Sequence, residues 1–241
     1  MIFQNAINEK MRELLIDSLV DIHRSLKLVP EALYLTVNLI DRYLSQVTII
    51  REEVRLVVVA ALFIATKYEK SYVLRLKDTV DISSKVYTEK KIFEMEGKIL
   101  VSLGFNLLTT SSYTFLQRYA RINRFNEESF NIARYLLELA LMKYHTLQYT
   151  PSNLACSAIY LVNKLQEKDD EWPDFMAKNT KYTEAELRPA AKYLCTLLRN
   201  AGRNGLYAVM RKFASEKFFK VSRIHWENIH FILKELSLIH N

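Results

Sequence analysis

Residues Val54 to Tyr68 read VRLVVVAALFIATKY, and this run decides the fold. From Leu56 to Ala65 no side chain is polar, so a helix here keeps no face for water and belongs inside a core. A bilayer crossing needs about 20 apolar residues, more than this run supplies, so the expectation is the core helix of a soluble domain. Ala60, Ala61 and Ala65 keep part of its surface thin, and Leu56, Phe63 and Ile64 supply bulk. Neighbouring helices can then pack in a ring around it.

The pattern occurs twice. Under a shift of 97 residues AALFIATK (Ala60 to Lys67) falls on SAIYLVNK (Ser157 to Lys164), and Leu33, Leu35, Leu39, Ile40 and Asp41 fall on Phe130, Ile132, Leu136, Leu137 and Glu138. YTE at Tyr87 to Glu89 returns at Tyr182 to Glu184, two residues off that register. Three segments in one order indicate a duplicated helical domain.

Composition agrees. Half of the 241 residues are hydrophobic, and four Gly and four Pro leave little for the turns of a β protein. Cys156 and Cys195 both lie in apolar helical contexts and read as buried, reduced thiols, which fits a cytosolic or nuclear compartment. The start, MIFQNAINEKM, has neither the basic region nor the apolar stretch of a signal peptide, and no membrane association is expected. The net charge of +7 is uneven: residues 1–110 hold 15 basic against 14 acidic side chains, residues 111–198 hold 11 against 10, and residues 199–241 hold 8 against 3. The basic excess of the last segment, with Arg199, Arg203, Arg211, Lys212, Lys217, Lys220 and Arg223, reads as a solvated face, with an acidic partner as the alternative.

Apolar spacing predicts helices over about 10–27 (Met11, Leu14, Leu15, Leu19, Ile22 and Leu26 on one side), 31–45, 54–68 and 89–103, with a possible short helix before Thr88. Pro30 suits a first turn, Thr88 an N-cap and Gly104 a stop. The second copy is expected near 111–122, 127–144, 151–165, 172–179 and 184–200, with start signals at Asn126, Thr150–Pro151 and the capping box Thr183 to Glu186. Helices near 206–215 and 224–238 follow. The reading is all-α: two tandem five-helix domains, 1–108 and 109–200, and a short helical C-terminal extension, 201–241.

Catalytic chemistry is absent from the sequence. It has no glycine-rich phosphate loop, no nucleophile motif, and no Cys or His pair at metal-ligand spacing. His225 and His230 stand five apart, and Asp169, Asp170 and Glu171 precede Trp172 and Pro173 at a helix start, where carboxylates favour the helix dipole. No metal, no cofactor and no enzymatic activity are expected. The repeat singles out one pair instead: Lys67 and Glu96 have Lys164 and Ala191 as counterparts. An acid missing from one copy is not required by the fold, so Lys67 and Glu96, beside Tyr68 and Phe105, read as a mixed binding face on the first domain.

MRELLIDSLVDIH, ALYLTVNLIDRYLS and VVVAALFIATKYE resemble the first cyclin box of mitotic A-type and B-type cyclins, and the resemblance runs on through YTPSNLACSAIYL, YTEAELRPA and MRKFASEKFFKVS. It implies two cyclin boxes and a regulatory subunit that activates a cyclin-dependent serine/threonine kinase as a heterodimer, at the G2/M transition, in nucleus and cytoplasm. By the same resemblance Lys67 and Glu96 would bond the kinase segment before its mobile αC helix, and Tyr68, Leu100 and Phe105 would pack against that helix. Arg12 and Asp41 match an ion pair internal to the box.

Departures accompany the likeness. The substrate-docking groove of such cyclins is matched at Met11, Leu14 and Asp21, with Val54 beside it, but Ser18 stands where the family has Trp and Arg55 where it has Gln. Losing the indole removes an apolar anchor, and Arg55 would repel a basic docking motif, so docking of substrates or inhibitors there is expected to be weak or altered. Lys70 replaces a common Glu. About ten residues precede the first box, too few for the family's N-terminal helix or degradation-signal region, so either the kinase interface is smaller or the sequence is a fragment. A rival reading, a transcription-factor IIB-like core or another cyclin-fold adaptor, would need the clustered Lys and Arg that grip DNA. Both boxes are nearly neutral, and a nucleic-acid partner is not expected.

Overall fold

A computed structural model describes residues 7–69, 74–203 and 205–238. Lys70 lies outside them. Among the described residues there are twelve α-helices, four 3₁₀ turns and no strand. The chain divides into two compact units, one up to Thr109 and one from Thr110 on.

The first unit holds α1 (Glu9–Ser25), α2 (Pro30–Gln46), α3 (Val54–Glu69), α4 (Leu76–Ile82) and α5 (Glu89–Ser102). The apolar run forms α3, buried at Val54 and from Leu56 to Thr66, and α1, α2, α4 and α5 all pack on it. Each large apolar side chain buried this way contributes about 1.5–3 kcal/mol, so α3 anchors the unit. Asn8 caps α1 by accepting from the Met11 amide at 2.8 Å, and Thr88 caps α5 from the Lys91 amide at 3.3 Å. Gly104, at φ 57°, ends α5 as expected.

The apolar stripe of α1 is shared between core and surface: the helix buries Arg12, Ile16, Leu19, Val20 and His23, whereas Leu14 is 50% exposed. The polar residues of the inward face find partners nearby: Arg12 bonds Asp41, and His23 Nε2 lies 2.8 Å from the Val29 carbonyl oxygen. That frees the rest of the apolar stripe for the surface.

The second unit repeats the plan with α6 (Ser112–Ile122), α7 (Glu127–Leu141), α8 (Pro151–Leu165), α9 (Asp174–Thr180) and α10 (Glu184–Arg199). Its central helix, α8, packs against α6, α7 and α10. Asn126 and Thr150 cap α7 and α8, and the Thr183 amide donates to Glu186 Oε2 at 2.8 Å in the capping box. Asp170 accepts from the Trp172 amide and Glu171 from Lys164, so the acidic run serves the helix approach, and no cluster able to hold a metal occurs among the described residues. Cys156 and Cys195 are buried free thiols, and burial pushes each up to about 12, where little thiolate forms.

The C-terminal segment packs within the second unit as α11 (Ala208–Phe213) on α7 and α12 (Ile229–Glu235) on α8 and α10, with 3₁₀ turns at Glu216–Phe218 and Val221–Arg223 between them. Its helices are shorter than the apolar spacing suggested, 208–213 against 206–215 and 229–235 against 224–238, and Phe219 and Lys220 take left-handed φ values of 55° and 52° in the stretch between them. Lys212, expected on a solvated face, is 4% exposed and donates to both oxygens of Glu138, at 2.8 and 2.6 Å. No described helix is long and apolar enough to cross a membrane.

Candidate functional site

Lys67 stands in the last turn of α3, and its Nζ donates to Glu96 Oε1 on α5 while lying 4.1 Å from the centre of the Phe63 ring. The two ends of the pair differ. The Lys67 side chain is 40% exposed and that of Glu96 only 7%, so the carboxylate is set into the unit and the ammonium reaches out. An ion pair half in water is worth only about 0–1 kcal/mol to the fold.

Apolar side chains frame the pair. Tyr68 is 43% exposed, Leu100 half-buried one turn beyond Glu96, and Phe105 67% exposed. Phe105 follows the stop of α5: its amide bonds the Leu100 carbonyl at 2.8 Å, and its own φ is 56°. A left-handed phenylalanine costs roughly 1–2 kcal/mol of strain, and the exposed ring recovers little by burial. Phe93 and Val101, 64% and 69% exposed, extend this face along α5 with Gly97 between them at helical spacing. Sequence reasoning passed over them; the available signal was that they fall off the buried period of Ile92, Met95 and Ile99.

Arg12 and Asp41 form a two-pronged pair, Nε to Oδ1 and Nη2 to Oδ2 both 2.7 Å, with Arg12 only 2% exposed. It joins α1 to α2 beneath the surface. The groove residues divide. Met11, Leu14, Ser18 and Arg55 line one cavity, whereas Val54 is buried and Asp21 is absent from its lining, bonded instead to Arg24 at 3.3 Å.

Family models match on both units: "Cyclin, N-terminal domain" over residues 1–108 and "Cyclin, C-terminal domain" over residues 110–226. The chain belongs to the cyclin family. This cyclin is 35% identical over 235 residues to Cyclin-B2-1 of Arabidopsis thaliana, covering 98% of this chain and 54% of that protein. It is 38% identical over 212 residues to G2/mitotic-specific cyclin-1 of Antirrhinum majus, covering 88% and 45%. The chain thus spans about half the length of the curated relatives it matches. In fold it is similar to a viral cyclin from herpesvirus saimiri (TM-score 0.70, 14% identity, 81% of this chain and 89% of that one). It is also similar to a chain of the yeast RNA polymerase II CTD kinase CTDK-1 complex (TM-score 0.62, 14% identity, 93% and 80%).

In the second cyclin box the lysine that repeats Lys67 has another fate. Lys164 is 5% exposed and donates to Glu171 at 3.1 Å and to Glu235 of α12. Burial works to lower its pKa, but hydrogen bonds to the two carboxylates override that and hold it above the ordinary lysine value. The acid missing at Ala191 is therefore supplied from elsewhere in the chain, and the second box does hold a counterpart of the Lys67 charge pair.

Proposed function

We propose that this cyclin is the regulatory, non-catalytic subunit of a cyclin-dependent serine/threonine kinase, binding and activating it at the G2/M transition. The observation that carries the reading is the outward-facing Lys67–Glu96 pair framed by exposed Tyr68 and Phe105 on the first box only. The names of the relatives, G2/mitotic-specific cyclin among them, support the stage. Residence in nucleus and cytoplasm belongs to the same reading.

Mechanistically, a face that fits only the active placement of the kinase's mobile helix shifts the kinase toward it, because a ligand moves an equilibrium by its difference in affinity for the two states. Taking a kinase from 1% to 99% active requires about 5.5 kcal/mol of that difference. Apolar groups such as exposed Phe105 and Tyr68 and half-buried Leu100 would supply most of it, and Lys67 with Glu96 would fix register through hydrogen bonds. Arg12 and Asp41 hold α1 on α2 and stay out of the interface.

The test is histone phosphorylation by a purified kinase that is inactive alone, with wild-type chain and with Lys67→Ala/Glu96→Ala. Strong activation by the wild type, lost in the double variant, is expected. Failure of the folded wild type to activate any mitotic kinase would overturn the reading.

A further inference from the structure

The turn that ends α5 carries Phe105 in a placement its surroundings do little to enforce. Gly104 and Phe105 are both left-handed, at φ 57° and 56°. Glycine takes that conformation freely, whereas a phenylalanine there is strained. Gly104, Phe105 and Asn106 are all exposed, so packing does not offset the strain. Within the turn the Phe105 amide bonds the Leu100 carbonyl at 2.8 Å and the Asn106 amide bonds the Leu103 carbonyl at 3.1 Å.

A side chain from another helix fastens the turn. Arg42, on α2 and 64 positions earlier in the chain, donates from Nη1 to the Asn106 carbonyl at 2.9 Å. The same nitrogen lies 3.5 Å from Asn38 Oδ1, at the outer limit of a hydrogen bond. Among the described residues Arg42 forms no ion pair, and its neighbour Asp41 is taken by Arg12. The half-buried guanidinium is thus directed at a carbonyl just past the C-terminal end of α5, where the helix dipole favours a cation. One turn further along α2, Gln46 Oε1 accepts from the Ser102 hydroxyl at 3.1 Å, so α2 grips the end of α5 at two points.

We propose that Arg42 is a positioning residue for the binding face of the first box: by fastening the Asn106 carbonyl it holds Phe105 left-handed and outward before a kinase arrives. The role rests on the kinase-binding reading of that face and adds what keeps the face ready. A ring already held in its bound placement loses less freedom on docking, and affinity falls in proportion as that placement becomes rarer.

Calorimetry with a purified mitotic kinase tests the role on wild type, Arg42→Met, Phe105→Ala and the double variant, each checked for folding by thermal melting. Arg42→Met, which keeps an apolar stem and removes the donor, should weaken binding about fivefold, as a competent fraction reduced to about one fifth requires. On the Phe105→Ala background the same change should cost less than about twofold, because residues that act through one another are not additive. Arg42→Lys keeps a donor for the carbonyl and should recover most of the affinity. In the free chain, hydrogen exchange at the Phe105 amide should be about fivefold faster in Arg42→Met. Unchanged affinity in Arg42→Met, an equal loss on both backgrounds, or unchanged exchange would overturn the role while leaving kinase binding in place. A folded wild type that binds no mitotic kinase would instead overturn the kinase-binding reading, and the role with it.

Discussion

The two cyclin boxes put the same lysine to opposite uses. Lys67 and Lys164 end the central helices α3 and α8 at matching positions of the repeat, yet one is 40% exposed by side chain and the other 3%. Lys67 meets a single acid from within its box and looks outward. Lys164 meets Glu171 and Glu235, and the helix that brings Glu235 lies on α8 and α10, the counterparts of α3 and α5. What the first box leaves exposed, the second covers with its own tail. Duplication preserves a charged position, and the occupant of the neighbouring surface decides whether it stays exposed or becomes a buried pair.

The largest effect expected from breaking this difference is at the tail's other attachment. Glu138, at 0% side-chain exposure, holds Lys212 of α11 and also Arg134 at 3.2 Å. Glu138→Ala leaves the buried Lys212 and the partly buried Arg134 without that acid and should cost about 3–5 kcal/mol in urea unfolding. The deficit has a pH signature. Burial already pushes the Lys212 ammonium below its ordinary value against the pull of Glu138. Without the acid the folded state binds fewer protons than the unfolded one, so stability rises with pH and the deficit shrinks towards about pH 10. A deficit under about 1 kcal/mol would mean that the tail is not fixed through this pair.

Much of this was readable from the chain, for a physical reason. Apolar periodicity and caps are local, so α3, α8 and the starts at Thr88, Asn126 and Thr150 follow from neighbouring residues. The contacts Lys164–Glu235 and Lys212–Glu138 join residues 71 and 74 positions apart. No pattern in either segment announces them, which is why a basic tail suggested a solvated face. The stripe on α1 is ambiguous for a different reason. Apolar spacing reports that a face avoids water but not whether core or partner covers it, and only the buried Arg12–Asp41 pair reveals which side of α1 turns inward.

A smaller effect sharpens the claim that the first box is shaped for a partner. Phe105→Gly relieves a left-handed φ worth roughly 1–2 kcal/mol but gives the unfolded chain glycine's extra freedom, about 0.5–1 kcal/mol. The net expectation is a gain of about 0.5 kcal/mol in stability together with weaker kinase activation. Thermal melting and the histone assay on one preparation check both. A variant that loses stability and keeps full activation would assign Phe105 to the fold.

The most direct measurement is the affinity of a purified mitotic kinase for three chains by calorimetry: wild type, Lys67→Ala/Glu96→Ala in the first box, and Glu235→Ala in the second. Binding through the open face predicts at least about a tenfold loss for the first-box variant, since charge-assisted hydrogen bonds contribute about 1.5–3 kcal/mol each, and wild-type affinity for Glu235→Ala. Unchanged affinity in the first-box variant, or a comparable loss in Glu235→Ala, would contradict it.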